Sequence, residues 1–185
     1  MFELEKNARE EKMREKLDKA LVGACGVFFV SAELSRRGWI AMPTIRNTQG
    51  IDIIATKAEQ SVNIQVKTNS YGKVKYPLDK KNEEMIDDNT YYVFVTLKEF
   101  NERPDFYIFR SGYIAEYIKD THEYWTKMKP RQKKAIYEKA SGEEIIQKRK
   151  KSTMRQFPNY IGNELPKFKN LNIDDHKDNW KILEP

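Results

Sequence analysis

Two strand-like segments in residues 50–70 constrain this chain more than any other feature. Residues 51–56 and 61–68 are rich in isoleucine and valine, which favour strands, and a short polar turn separates them. In the second segment apolar and polar residues alternate, so one face of the predicted strand carries Val62, Ile64 and Val66. The polar residues Gln65 and Lys67 then share the opposite face, which brings an amide and an ammonium group close together.

An acidic residue stands at the start of the first of these two strands. Asp52 precedes a run of isoleucines, and Gly50 just before it permits a close backbone approach or a bulge. Residues two apart on a strand point the same way, roughly 6.5–7 Å apart. The sequence therefore predicts that Asp52, Gln65 and Lys67 meet at one edge of a sheet, where they could bind a metal ion and orient a phosphate.

Residues 3–37 are predicted to be helical. Residues 3–20 alternate in charge around a narrow apolar stripe, which is typical of a solvated helix used for packing or dimerisation. Residues 21–37 predict a second helix that ends at Gly38. Glu33 lies beside the apolar face of that helix, where an acid requires a partner. Either it joins the polar site or it pairs with Arg36 or Arg37.

The middle of the chain predicts further strands around the 50–70 pair. Residues 39–45 form the first strand, and Pro43 indicates an edge position. Residues 69–90 are expected to be a loop followed by a short helix around 82–88. The segments 91–97 and 105–110 predict two more strands, the first covered on both faces, and Ser111 is expected to cap the following helix. The fold class is thus α/β, with a central mixed β-sheet flanked by helices.

Positive charge is concentrated towards the C-terminus. The whole chain has 185 residues, 34% of them charged, and a net charge of +6, which favours polyanionic partners. Between residues 127 and 155 there are eleven Lys or Arg against three Glu. The peak of this segment is a candidate nucleic-acid-binding run of Lys148, Arg149, Lys150 and Lys151, and the alternative is a solvated helix. Residues 126–185 are expected to form a basic helical segment and a tail that docks on a core of residues 1–125.

Other properties of the sequence limit its location. There is one cysteine, Cys25, so no disulfide forms within the chain. No apolar run reaches the ~18 residues of a membrane span, and the first residues lack the order of a signal peptide. We therefore expect no membrane partner and a reducing, cytoplasmic location.

The order of these elements and polar residues resembles the PD-(D/E)xK nuclease superfamily, which includes restriction endonucleases and Holliday-junction resolvases. The resemblance covers about residues 20–120 and implies a restriction-endonuclease-like α-β-β-β-α-β core. It implies that Asp52 is the metal-binding aspartate, that residues 65–67 are the (D/E)xK element and that Glu33 is the accessory acid. The sequence departs from the pattern at two positions, with Ile51 in place of proline and Gln65 in place of a carboxylate.

The resemblance also implies a mechanism and a cofactor. Glu33, Asp52, Gln65 and the carbonyl of Val66 are expected to hold Mg²⁺ or Mn²⁺ during in-line hydrolysis of a phosphodiester. Lys67 is expected to orient the attacking water or to stabilise the charge of the transition state. The expected substrate is DNA, with RNA as an alternative, and a homodimer is the simplest assembly for cutting both strands of a duplex.

Two other classes of function compete with the nuclease hypothesis. The neutral Gln65 favours a non-catalytic nucleic-acid-binding module, because an amide attracts a cation less than a carboxylate does. The charged N-terminal helix and the C-terminal tail, which the resemblance does not cover, favour a protein-interaction or assembly domain. Metal-dependent cleavage separates the first hypothesis from the second, and DNA affinity at low salt separates both from the third.

Overall fold

The computed structural model describes residues 18–45, 50–70, 74–130 and 141–184. The predicted helix at residues 3–20 lies almost entirely outside these ranges. Within them, no helix is long and apolar enough to cross a membrane.

A five-stranded mixed sheet forms the centre of the molecule. Its strands are β1 (Ile40–Pro43), β2 (Ile53–Lys57), β3 (Gln60–Asn69), β5 (Thr90–Thr96) and β6 (Asp105–Arg110). They lie in the order β1-β2-β3-β5-β6, with β3 and β5 parallel and the other neighbours antiparallel. The predicted α/β class with a central mixed sheet is confirmed, and β1 has the edge position that Pro43 indicated.

Helices and a second, two-stranded sheet complete the described chain. The helices are α1 (Lys19–Ser35), α2 (Ser111–Lys127) and α3 (Gly142–Lys151), and the second sheet pairs β4 (Tyr76–Asp79) with β7 (Met154–Phe157). Short 3₁₀ helices span Lys80–Glu84, Tyr160–Glu164, Ile173–His176 and Trp180–Leu183. Asp18 begins α1 by accepting a hydrogen bond from the backbone N–H of Ala20 at 2.7 Å.

Two apolar clusters lie on opposite faces of the central sheet. On one face, Val30 and Leu34 of α1 pack with the alternating valines and isoleucine of β3. On the other face, aromatic residues of β5 and β6 pack against α2 and the β4–β7 sheet. The alternation of β3 therefore places Gln65 and Lys67 on the second face, with the 3₁₀ turn that follows β4.

The C-terminal tail contributes to both clusters. Trp180 and Leu183 are buried in the α1 cluster, and Phe168 is buried in the α2 cluster. The backbone N–H of Asp178 donates to the carbonyl of Phe106 at 2.8 Å, which joins the tail to β6. The described tail is therefore part of the core that supports the central sheet.

The predictions for residues 69–90 and for Ser111 need correction. Residues 76–79 form β4 instead of a loop, because Pro77 lies on the exposed side of a two-stranded sheet where it does not disrupt the core. The short helix predicted at 82–88 is the 3₁₀ turn Lys80–Glu84, so residues 74–89, which the structure describes between β3 and β5, do not contain the α-helix of the α-β-β-β-α-β pattern. Ser111 does not cap α2, since its hydroxyl exchanges hydrogen bonds with the backbone of Asp87.

Close packing of α1 on β3 gives a matched pair of glycine variants. A Cβ added at Gly26 would overlap the side chain of Thr68, whereas a Cβ at Gly23 meets nothing within 4 Å. We expect Gly26→Ala to lower the free energy of unfolding by about 1–3 kcal/mol through overpacking. Gly23→Ala should raise it by up to about 1 kcal/mol, because alanine favours helix more than glycine does.

Urea unfolding of the two variants checks this prediction. Equal effects of the two substitutions would contradict the close approach of α1 to β3.

Candidate active site

Asp52 lies where β2 begins, and a local irregularity of the sheet aims its side chain. Ile53 is the register partner of Ile64, yet the backbone N–H of Asp52 also donates to the Ile64 carbonyl at 2.9 Å. Two successive residues thus face one residue of β3, as in a β-bulge, a feature that re-aims side chains next to functional sites. Oδ2 of Asp52 then accepts a hydrogen bond from the backbone N–H of Val66 at 2.8 Å.

Asp52 and Lys67 are close enough to change one another's proton affinity. Burial raises the pKa of Asp52, and the hydrogen bond from Val66 and the charge of Lys67 offset part of that rise. Burial lowers the pKa of Lys67, which Asp52 opposes and the neighbouring charge of Lys81 reinforces. A carboxylate and an ammonium group that both lose solvation at one point are typical of a functional site.

An open groove of about 450 Å³ leads to Asp52 and Val66. The first three turns of α1 form one wall, including Lys19 and Phe28, and the segment from Pro43 to Ile45 forms another. Phe28 is 68% exposed and Ile45 is 86% exposed. The Asp52 carboxylate is therefore reachable from solvent on the α1 side of the sheet edge.

Gln65 is held by Asn82, a residue that the sequence pattern does not mark as part of the site. Nδ2 of Asn82, in the 3₁₀ turn after β4, donates to Oε1 of Gln65 at 3.3 Å, and both side chains are buried. Oδ1 of Asn82 accepts from the backbone N–H of Asp79 at 2.8 Å. Asp79 and Asn82 form a capping box in this turn, but nothing in the sequence indicates that the turn folds onto β3.

Glu33 takes the alternative that pairs it with arginines. Its Oε1 accepts hydrogen bonds from Arg36 at 3.2 Å and from Arg103 at 3.1 Å, and Arg37 pairs with Oε2. Burial opposes ionisation of Glu33, but the hydrogen bonds from Arg103 and Arg37 outweigh it and lower the pKa. Arg103 also binds Asp178, which ties α1 to the tail.

The structure therefore places Glu33 in the arginine-paired alternative and outside the set of residues that line the groove. Among the α1 residues that line the groove, Phe28 lies nearest in sequence, five residues or about 7.5 Å of helix before Glu33. Three guanidinium groups already neutralise the carboxylate, so Glu33 supplies no free charge to a cation. Its contacts instead fix the last turn of α1 against the β5–β6 connection and the tail.

The acidic content of the site is low. No three His, Cys, Asp or Glu residues in the described ranges lie close enough together to hold a metal ion. Asp52 supplies a carboxylate at the start of β2, and its Oδ1 makes no hydrogen bond with a described residue. Mg²⁺ sites with one or two carboxylates rely on substrate phosphates for further ligands, so Asp52 fits such a site.

Arg149 has a structural environment that separates it from its basic neighbours. Its Nη1 donates to the carbonyls of Trp125 and Met128 at 2.9 and 2.7 Å, and its guanidinium lies 4.9 Å from the centre of the Trp125 ring. The side chain is buried, whereas Lys148, Lys150 and Lys151 are exposed on α3. We therefore leave Arg149 out of the predicted nucleic-acid-binding run.

Comparisons with known proteins find partial likeness to solved structures. No known protein-family model matches the chain, and no curated protein is similar to it in sequence. Among solved structures, a bacterial homing endonuclease, I-Ssp6803I, is similar with a TM-score of 0.39 and 14% sequence identity, over 55% of this chain and 74% of that chain. A TM-score this low does not establish a shared fold, so the function is argued from the site itself.

Replacing Asp52 should stabilise the metal-free protein at neutral pH. Burial raises the pKa of Asp52 above its value in the unfolded chain, so ionisation of this carboxylate destabilises the folded protein. The cost is present in full above the raised pKa of the folded state. Asp52→Asn removes this cost, and we expect Tm in EDTA at pH 7 to rise on the order of 2–4 °C per kcal/mol relieved. The gain should vanish below about pH 4, where the aspartate is protonated in both states.

This prediction is tested by thermal unfolding of wild type and Asp52→Asn at pH values from about 3 to about 8. The range lies on both sides of the ordinary pKa of an aspartate, about 4. The exposed Asp88→Asn serves as the control and should give no such pH-dependent gain. A lower Tm for Asp52→Asn at pH 7 would assign the carboxylate a purely structural role.

Within the basic run 148–151, we expect Arg149 to contribute to stability and the exposed lysines to contribute little. Arg149→Ala leaves two carbonyls at the end of α2 without their charged donor. We expect it to lower the free energy of unfolding by roughly 2–3 kcal/mol. The exposed Lys150→Ala should stay within about 0.5 kcal/mol of wild type, and similar losses in urea unfolding for both variants would contradict this division.

Proposed function

We propose that this protein is a metal-dependent phosphodiester hydrolase that acts on DNA. The observation that carries the proposal is the electrostatic coupling of two partly desolvated charges, Asp52 where β2 begins and Lys67 on the neighbouring strand β3. Asp52 also lines the open groove on the α1 side, whereas Lys67 projects from the opposite face of β3. An acid that binds a divalent cation and a lysine beside it are the minimum that in-line hydrolysis requires. The spacing that predicted these residues from the sequence supports the same conclusion.

Asp52 is the proposed ligand of Mg²⁺ or Mn²⁺. One carboxylate oxygen is held by the N–H of Val66, and the other is left without a hydrogen bond among described residues. The Val66 carbonyl belongs to the same segment and is the second proposed protein ligand. When bound, the ion supplies a Lewis acid that polarises the phosphate.

Lys67 is the proposed stabiliser of negative charge on the reacting phosphate. Its ammonium group has lost part of its hydration through burial, which lowers its pKa. A charge in such surroundings interacts more strongly with a neighbouring anion than one in bulk water does. Lys67 therefore contributes most when negative charge develops on the phosphoryl oxygens in the transition state.

A DNA substrate agrees with the charge of the chain. The net charge is +6, Lys19 lies at the rim of the groove, and α3 exposes Lys148, Lys150 and Lys151. Contacts of these lysines with phosphates would make the affinity fall with salt. RNA offers the same phosphates and is therefore the alternative substrate. A homodimer stays a prediction.

A second candidate function follows from the single carboxylate. With Asp52 alone at the metal position and Glu33 neutralised by arginines, binding of nucleic acid without cleavage is the alternative. That module would bind DNA in EDTA and fail to cut it when Mg²⁺ or Mn²⁺ is added.

The proposal is tested by cleavage assays with Mg²⁺ or Mn²⁺. The labelled substrates are duplex DNA, single-stranded DNA, branched DNA and RNA. Lys67→Met keeps the side-chain volume and removes the charge, and we expect it to lower the cleavage rate by about 10²–10³-fold. Its fold should persist, because the charge of Lys67 is itself costly to bury.

The matched control is Lys80→Met on the adjacent 3₁₀ turn, where the side chain is exposed. It should cleave like wild type. Equal rates for wild type and Lys67→Met would contradict the enzyme hypothesis, and DNA binding without any cleavage would favour the non-catalytic module.

A further inference from the structure

The hydrogen-bond chain behind Gln65 fixes which end of its amide faces the site. The backbone N–H of Asp79 can only donate, so the atom of Asn82 that it contacts at 2.8 Å must be the oxygen Oδ1. The nitrogen Nδ2 of Asn82 is therefore on the other side of that amide. It can only donate, so the atom of Gln65 that it contacts at 3.3 Å must be Oε1.

The same logic orients the Gln65 nitrogen. With Oε1 turned to Asn82, Nε2 points away from the 3₁₀ turn and lies beside Gly50, where an added Cβ would come within 3.7 Å of it. Nε2 makes no hydrogen bond with a described residue. Gln65 thus presents an N–H donor at the start of β2, whereas a metal ligand must present an oxygen.

Both acidic and basic groups lie around Gln65. Lys67 and Lys81 carry positive charges close enough to affect one another, and Asp52 opposes them. Asp79 adds a second carboxylate, which accepts from the backbone N–H of Lys81. The case for an anion therefore rests on the orientation of the Gln65 amide and not on net charge.

A second buried donor lies in the same cluster. Tyr92 is fully buried, and its hydroxyl makes no hydrogen bond of normal geometry with a described residue. Burial raises the pKa of Tyr92, the nearby Asn82 side chain offsets part of the rise, and the charge of Asp52 adds to it. The Tyr92 hydroxyl lies beside the Asn82 amide that holds Gln65, so it belongs to the same buried polar cluster.

We infer that Gln65 binds a phosphate oxygen of the nucleic acid through its amide N–H, and that Asn82 is the positioning residue that sets this orientation. The inference rests on the proposed function for its ligand class and assigns Gln65 a different role from the metal ligand expected from the sequence. The metal position then consists of Asp52, the Val66 carbonyl and oxygens of the substrate.

Affinity for a labelled duplex oligonucleotide, measured in EDTA by fluorescence anisotropy, tests the inference without any metal. Gln65→Met keeps the volume and removes the donor, so the affinity should fall about fivefold. Gln65→Glu should reduce it further, because a carboxylate repels phosphate. Asn63→Leu, an amide-to-apolar change on the same face of β3, is the control and should bind like wild type.

Asn82→Asp tests the positioning role. The aspartate can still accept from Asp79 but cannot donate to Gln65, so the Gln65 amide is free to rotate. We expect a loss of affinity similar to that of Gln65→Met, and no additional loss in the double variant. Additive losses would overturn the positioning role, and a Tm measurement for each variant confirms that it is folded.

Mn²⁺ titration of the same variants separates the two possible roles of Gln65. Unchanged Mn²⁺ affinity in Gln65→Met, together with weaker DNA binding in EDTA, supports the inference. Weaker Mn²⁺ binding in Gln65→Met with unchanged DNA affinity, or stronger Mn²⁺ binding and faster cleavage in Gln65→Glu, would overturn it. An absence of cleavage by wild type would count against the proposed function alone, because the measurements in EDTA do not depend on it.

Discussion

The interaction between Asp52 and Lys67 is the constraint on which the functional account depends. Each charged group is partly removed from water, so each costs folding free energy that its partner repays only in part. This cost falls where β2 begins beside β3, and there the Asp52 bulge and the N–H of Val66 hold the carboxylate in place. Apolar residues in place of a buried ion pair are often neutral or stabilising, so stability alone does not account for these two charges.

The surrounding fold holds β3 in place on both faces. The close approach of α1 at Gly26 and Thr68 fixes one face of β3, and the 3₁₀ turn carrying Asn82 fixes the other. That turn is itself anchored by the buried ion pair between Glu83 and Arg155, which joins it to β7 in the C-terminal part of the chain. Residues far apart in sequence thus converge on the orientation of one glutamine side chain.

The sequence predicts the central sheet well because its strands carry strong local signals. The alternation in β3, the apolar run of β5 and the edge proline of β1 each follow from local side-chain preferences. The contacts of Glu33 with Arg103, of Asn82 with Gln65 and of Arg149 with Trp125 join residues 17 to 70 positions apart, and no local pattern encodes them. For this reason the sequence offers the pairing of Glu33 with arginines only as an alternative, and it does not indicate the contact between Asn82 and Gln65.

The central claim is that the Asp52 carboxylate holds a divalent cation beside Lys67, and direct counting of bound Mn²⁺ tests it. Electron paramagnetic resonance of free Mn²⁺ during a titration, with a duplex oligonucleotide present, gives the number of ions bound. The account predicts one ion bound by the wild-type protein and its loss in Asp52→Asn, with DNA affinity retained in EDTA. Equal Mn²⁺ binding by both proteins, or none by either, would contradict it.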